Sequence, residues 1–274
     1  MFEAFGRNKY RSTGVIQWML NNAWPGLIWH LYDYYLRPAG GYFGTKKALE
    51  PLHIQYSYDD HSIVIVNEHP KSVPQMRAVA KVYDISLRER FSKEASVEAA
   101  ADAPTRLFVI PDIADIGATY LLRLDLYDSS GANVSHNFYW LSTKPDVPNW
   151  DKSEWYYTPN SAYADLTGLQ TLPKVSLKVT AAFDEGDEVE EEESARVSVE
   201  NPDKGMAFLV RLRVTRGKGG EEVLPAFWED NYFELWPGEK RTLSVQFHKR
   251  DLAGAQPLVA VDGWNVNPLT SADK

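Results

Sequence analysis

The hydrophobic pattern of the chain changes period near residue 50. Before that point, residues 1–8 read as the end of a helix, with Phe2 and Phe5 on one side at i, i+3. Gly14-Val-Ile-Gln-Trp-Met-Leu20 predicts one buried strand, closed by Asn21-Asn22 and the Trp24-Pro25 turn. Residues 27–36 and 42–49 predict helices, with Leu27, Leu31 and Tyr34/Tyr35 about a turn apart. Helix, strand, loop and helix make one α/β unit, which cannot cover both faces of an apolar strand by itself.

From about Leu52 the period falls to two. Residues 53–56, 62–67, 76–85, 106–110, 120–127 and 134–140 predict short strands, punctuated by Asp59-Asp60, Pro104 and Ser129-Ser130-Gly131. This density of strands predicts an immunoglobulin-like sandwich over 52–143. A second set, at 175–183, 195–201, 207–215, 222–227, 240–247 and 258–264, predicts another sandwich over 174–274, with no exact repeat of the first. Between them, residues 144–173 carry Pro145, Pro148, Pro159 and Pro173 among Trp150, Trp155, Tyr156, Tyr157 and Tyr163. A flexible linker would be rich in Gly and Ser, so this is expected to be an ordered connector whose rings pack against a neighbouring domain. Sugar binding by those rings is the alternative.

Composition narrows the function classes. The chain has 274 residues, 44% hydrophobic and 24% charged, enough to build real cores. No uninterrupted apolar run reaches transmembrane length, so no membrane partner is expected. Met1-Phe-Glu-Ala-Phe-Gly-Arg-Asn-Lys-Tyr10 has no basic segment leading into an apolar one and does not read as a signal peptide. A net charge of −9 argues against a nucleic-acid partner and allows a cationic one. The absence of cysteine excludes disulfides and thiolate sites without fixing the compartment.

Most classes of chemistry lack a motif. There is no glycine-rich phosphate loop and no Gly-x-Ser-x-Gly elbow. His61 and His69 flank a strand beside Asp59, Asp60 and Glu68, a set explained by polar strand ends rather than a metal. Residues 184–193 hold eight acidic residues and read as a solvated hairpin, without the spacing of a calcium loop. No metal or other cofactor is expected. Glu3 on its helix, and Glu229, Asp230 and Glu234 in a turn of the last sandwich, read as structural carboxylates. The segment of most interest is Thr13-Gly-Val-Ile-Gln-Trp-Met-Leu-Asn-Asn-Ala-Trp-Pro25. In a (β/α)8 barrel, substrates bind at the C-terminal ends of the strands. At such an end Trp18 could stack on a sugar ring, and Asn21 or Asn22 could hydrogen-bond its hydroxyls. Core packing is the ordinary role of a strand tryptophan, and these residues alone leave both readings open.

Trp18, Leu20, Asn21, Asn22, Trp24 and Pro25 match the Trp-x-Leu-Asn-(Asp/Asn)-x-Trp-Pro pattern that ends the eighth barrel strand of glycoside hydrolase family 2, in its mannosidase-like branches. Trp29-His-Leu-Tyr-Asp-Tyr-Tyr35 and Gly44-Thr-Lys-Lys-Ala-Leu-Glu-Pro-Leu-His53 resemble the family's next helices. Phe227-Trp-Glu-Asp-Asn-Tyr-Phe-Glu-Leu-Trp-Pro-Gly-Glu239 is similar to the Asp-Asn-Tyr…Pro-Gly-Glu motif of its last sandwich. The wording of residues 16–25 and of Ala39-Gly-Gly-Tyr-Phe-Gly44 most resembles exo-β-D-glucosaminidases. The resemblance implies a mainly β fold: two immunoglobulin-like sandwiches, preceded at 1–51 by the last βα unit of the catalytic (β/α)8 barrel. It implies a retaining glycosidase acting on the glucosamine end of chitosan or its oligomers, whose two catalytic glutamates lie upstream of Met1. It also implies N-terminal domains of the same enzyme as partners. Trp18 becomes the floor of the terminal-sugar subsite, with Asn21, Asn22 and Trp24 as lesser binding residues. The implied substrate class suits a secreted or periplasmic enzyme. A β-mannosidase or β-galactosidase of the same family is the first alternative. A non-catalytic carbohydrate-binding module, with Trp150, Trp155, Trp228 or Trp236 as platforms, is the second.

Overall fold

The computed structural model describes residues 1–26, 29–184 and 192–271. The chain divides into two units, one of Met1–Val15 with Lys46–Leu172 and one of Ile16–Thr45 with Pro173–Lys274. Both are β-sandwiches, and the protein is mainly β.

The first unit opens with helix α1 (Phe2–Arg7). Strands β1 (Leu52–Tyr56), β2 (Ser62–Asn67) and β5 (Ala103–Val109) form one antiparallel sheet in the order β1-β2-β5. Strands β3 (Val73–Asp84), β4 (Glu89–Ala99), β6 (Thr119–Tyr127) and β7 (Asn133–Ser142) form the other, ordered β4-β3-β6-β7. Alternation sets the core: Met76, Ala78, Ala80 and Val82 of β3 point inward with Leu122, Leu124 and Leu126 of β6, against Ile54, Ile63 and Ile65. Strand β2 is buried on both faces. Its outer face meets α1: a Cβ added at Gly6 would lie 3.8 Å from the Val66 side chain, and Gln55 Nε2 donates to the Glu3 carbonyl at 2.9 Å.

Strand β4 is absent from the hydrophobic pattern because it is an edge strand. Glu89, Lys93, Glu94 and Glu98 stand along it, and charge on an edge prevents further pairing. The segment after β7 holds a short ladder of β8 (Val147–Pro148) and β9 (Asn160–Ala162). It is tied to β6 by Thr119 Oγ1, which donates to the Asp165 carbonyl at 2.9 Å and accepts from Gly168 N at 3.2 Å. A Cβ on Gly168 would fall 2.8 Å from that of Thr119, so this close approach requires glycine.

In the second unit, helix α2 (Gly40–Ala48) places Phe43 in the core near Tyr232, ring centroids 6.0 Å apart. Strands β10 (Lys178–Asp184), β11 (Glu192–Glu200), β13 (Ala226–Trp228) and β15 (Lys240–His248) form a sheet ordered β10-β11-β15-β13. Strands β12 (Ala207–Arg216), β14 (Phe233–Leu235), β16 (Pro257–Asp262) and β17 (Leu269–Thr270) form its partner, ordered β14-β12-β16-β17. Ala195, Val197 and Val199 of β11 and Leu243, Val245 and Phe247 of β15 face Leu212, Val214, Val259 and Val261. The two sandwiches share one polar device. Asn67 and Asn201, both fully buried at strand ends, each donate to the carbonyl four residues on (Lys71 and Gly205). Each also accepts the N–H two residues on, from His69 and Asp203. A buried amide must satisfy both ends, and this turn does so.

Two expectations are corrected. Residues 29–36 form no helix; Leu27 and Ile28 lie outside the described residues. Asp33 Oδ1 accepts the N–H groups of Tyr35 and Arg37 at 2.8 and 2.9 Å, a local turn that competes with helical bonding. Residues 14–20 carry no ladder either, with Ile16 89% and Leu20 61% exposed. A barrel strand takes its hydrogen bonds from neighbours on both sides, and among the described residues none lies alongside. The acidic run 184–193 falls mostly at 185–191, outside the described residues. Among the described residues no helix is long and apolar enough to cross a membrane.

This arrangement leaves residues 14–20 an apolar segment with no ladder among the described residues. Their amides are expected to exchange with solvent at near-loop rates, while those of β2, β11 and β15 exchange slowly. Protection of 14–20 equal to that of the sandwiches would mean the segment pairs after all.

Candidate functional site

The segment read as a binding site is a loop held by hydrogen bonds to its backbone carbonyls. The Trp18 carbonyl accepts from the Trp29 indole, and Gln17 Nε2 donates to the Trp29 carbonyl at 3.0 Å. Tyr32 N donates to the Leu20 carbonyl at 2.9 Å, and Tyr32 bridges both Asn21 and Pro38. With the main chain so fixed, the rings project: Trp18 is 71% and Trp24 72% exposed. Asn22 behaves differently. It is buried, its Nδ2 donates to the Gly26 carbonyl at 2.9 Å, and its Oδ1 is bonded to His30 Nδ1. Its amide is occupied in shaping the turn. Asn21 stays exposed, with one 3.3 Å bond from its Nδ2 to the Asn22 carbonyl.

The carboxylates are engaged elsewhere. Glu229 Oε2 accepts from the N–H and hydroxyl of Ser244 at 3.0 and 3.1 Å. Asp230 is paired with Arg241 at 2.7 Å. Glu234 is buried and lies within β14, not in a turn. The neighbouring Asn231 clamps β12, accepting from Leu212 N and donating to the Leu212 carbonyl, both at 2.8 Å. The Asp-Asn-Tyr motif is therefore a sandwich fastening. Asp59, Asp60 and Glu68 pair with Arg7, Arg106 and Lys9 respectively.

Glu3 is the carboxylate whose setting the sequence did not reveal. It lies against β1 and β7, far from isolated on its helix. Its Oε1 accepts from His53 Nε2 at 2.9 Å, Asn137 Nδ2 at 2.7 Å and the Tyr139 hydroxyl at 2.8 Å. Glu50 approaches the other nitrogen, His53 Nδ1, at 3.5 Å and is paired with Lys47 at 2.7 Å. Burial alone would raise Glu3, but the hydrogen bonds and the His53 charge outweigh it and hold it below the usual range. Burial would lower His53, yet its bonds to Glu3 and Glu50 win and raise it. Burial likewise opposes, without overcoming, the lowering of Glu50 by His53 and Lys47. His53 therefore contributes stability below its ordinary value of 6.5 that is lost as pH rises through its raised value. Glu3 and Glu50 contribute stability above 4.5 that is lost as pH falls through their lowered values. The first sandwich is expected to resist urea best between these limits and to weaken on the alkaline side. In His53→Gln the alkaline fall should flatten; an unchanged slope would place its cause elsewhere.

The proposed sugar platforms of the sandwiches separate into two groups. Trp228 and Trp236 are buried at 5% and 8%, so they are core and offer no face. Trp150 and Trp155 are 73% and 94% exposed, but Trp155 meets Tyr156 at an interplanar angle of 62°, not as a coplanar pair. Tyr156, Tyr157 and Tyr163 of the connector are likewise exposed.

The family model of the exo-β-D-glucosaminidase Ig-fold domain matches residues 155–266. An exo-β-D-glucosaminidase of Streptomyces avermitilis is 41% identical over 278 residues, covering 98% of this chain and 30% of that protein. The crystal structure of the Amycolatopsis orientalis exo-chitosanase CsxA superposes with a TM-score of 0.92 at 40% identity, covering 99% of this chain and 33% of that one. The β-D-mannosidase of Dictyoglomus thermophilum, at 18% identity and TM-score 0.61, covers 97% of this chain and 28% of that one and shares the fold alone. The chain thus spans less than two thirds of each relative's length. Over nearly its full length, the chain matches the exo-β-D-glucosaminidase family.

Proposed function

We propose that this chain is the C-terminal part of a retaining exo-β-glycosidase that removes terminal glucosamine from chitosan or chito-oligosaccharides. The observation that carries this reading is the 41% identity to an exo-β-D-glucosaminidase across 98% of the chain. In it, residues 1–51 close the catalytic barrel, 52–143 and 174–274 are sandwiches, and 144–173 is the connector. The N-terminal domains supply both glutamates. One protonates the leaving oxygen and then activates water; the other attacks the anomeric carbon and forms the glycosyl-enzyme. Trp18 floors the terminal-sugar subsite, Trp24 flanks it, and Asn21 offers its amide to a hydroxyl. Asn22 serves by fixing the turn that carries them. The exposed rings of the connector are covered by the N-terminal domains, which explains its aromatic surface. The substrate class suits a secreted or periplasmic enzyme.

The complete enzyme, assayed with p-nitrophenyl β-D-glucosaminide, β-D-mannoside and β-D-galactoside, should prefer the glucosaminide by orders of magnitude in kcat/KM. Preference for either neutral sugar would assign it to another branch of the family. The binding-module reading is less well supported, because two of its four tryptophans are core.

A further inference from the structure

The first sandwich contains a cleft that the barrel chemistry does not use. It encloses about 700 Å3 and is lined by residues including Tyr56, Tyr58, Tyr120, Trp140, Asp112 and Asp146. That volume lies in the range of small-ligand sites, about 300–1,000 Å3. All of the lining belongs to the first unit, from the end of the sandwich and the segment after β7.

We propose that this cleft is an auxiliary binding site for a cationic amino-sugar chain, resting on the reading that the whole enzyme acts on glucosamine polymers. Three features point to that chemistry. First, aromatic surface is presented on a held framework. Tyr58 is 65% and Trp140 39% exposed, while Tyr58 lies edge-on to Tyr56 and Tyr139 at ring distances of 5.4 and 6.1 Å. Such rings stack on the C–H faces of pyranoses and also attract an ammonium group.

Second, the charge has one sign. Among the described residues no lysine or arginine lines the cleft; its ionisable lining besides the tyrosines is Asp112, Asp146 and His61. Asp146 is pre-positioned: its Oδ1 accepts from Asn160 Nδ2 and from Ala164 N, both at 3.0 Å. A carboxylate held in this way can receive an ammonium or sugar hydroxyl without first being ordered. Third, the chain as a whole carries −9, a field that draws a polycation toward the surface. Neutral sugars would gain the stacking but not the charge, so glucosamine units are the class the cleft prefers. Holding the polymer here would retain substrate near the enzyme between successive removals of terminal sugar.

The test is equilibrium binding of the 274-residue chain to a soluble chito-oligosaccharide, with the fully N-acetylated oligomer as a neutral comparison. The deacetylated oligomer should bind more tightly, by about tenfold, and its affinity should fall with added salt. Trp140→Ala and the double variant Asp112→Asn/Asp146→Asn should each weaken it by about tenfold at unchanged urea midpoint. Phe227→Ala, at an exposed position of the second sandwich, should leave it unchanged. No binding by the wild-type chain, equal affinity for both oligomers, or loss only in Trp18→Ala would overturn the proposal. Should Trp140→Ala unfold the chain, the aspartate variant decides alone. Hydrolysis of p-nitrophenyl β-D-glucosaminide by the unmodified complete enzyme tests the underlying reading separately. Cleavage there without binding here defeats the cleft alone, and absence of cleavage defeats the proposed activity.

Discussion

The purified chain alone is expected to hydrolyse no β-glucosaminide. Retention divides a difficult displacement into two steps, each with a carboxyl group placed about 5–5.5 Å from its counterpart. The carboxylates that could be suspected here are committed. Glu3 takes bonds from His53, Asn137 and Tyr139; Glu229 holds Ser244; Asp230 pairs with Arg241; Glu234 is buried. Removing one member of a catalytic set that acts as a unit typically destroys nearly all of its rate enhancement, and stacking on a ground-state sugar by Trp18 lowers no barrier by itself. The check is a chromogenic β-D-glucosaminide assay on protein free of host glycosidase. Turnover that follows the purified chain and disappears in Glu229→Gln or Asp230→Asn would move the active site into the second sandwich.

Where the fold was legible, a local period wrote it. Strand β2 coincides with the apolar run 62–67, and β6, β7, β12 and β15 begin or end within about two residues of the runs that predict them. What stayed hidden depended on partners remote in sequence. Strand β4 alternates small and charged residues at a sheet edge, so no hydrophobic period marks it. Strand β14 lies inside a segment rich in turn residues and is fixed by pairing with β12. The Glu3 cluster joins positions 50 and 134 residues apart, and a helical glutamate with no polar neighbours in sequence gives no sign of it. Tryptophans show the same limit from the other side. Trp228 sits in a core and Trp155 in solvent, yet both lie in aromatic stretches of similar composition.

The candidate site was legible as a motif rather than as a geometry. Trp18, Asn21, Asn22 and Trp24 stand in one short segment, but only the structure distinguishes the amide that shapes the turn from the groups left open. Asn22 and Asn21 are adjacent and chemically identical. What separates them is His30 and the Gly26 carbonyl, which the turn brings to Asn22 alone.

In the complete enzyme, Trp18→Ala should reduce kcat/KM by far more than Trp236→Ala, and the two should reverse their order in stability. The Trp18 ring is 71% exposed, while its carbonyl, which any residue supplies, carries the bond from Trp29. Truncation therefore removes a stacking face and leaves the loop's backbone bonds in place. An aromatic contact worth about 1.4 kcal/mol in the transition state corresponds to tenfold in rate, so a loss of about tenfold to a hundredfold is expected. Trp236 has the opposite balance. It is 8% exposed, and it precedes the Pro-Gly turn whose Gly238 adopts a φ of +77°; its backbone N–H, which alanine retains, donates to Glu239 Oε2 at 3.0 Å. Replacing it leaves a cavity in the second sandwich, at a cost of about 3–5 kcal/mol, while the folded fraction keeps its sugar site. Measuring kcat/KM on p-nitrophenyl β-D-glucosaminide beside a urea midpoint for each variant separates the two effects. Equal losses of kcat/KM at matched folded fraction would remove Trp18 from the terminal-sugar subsite.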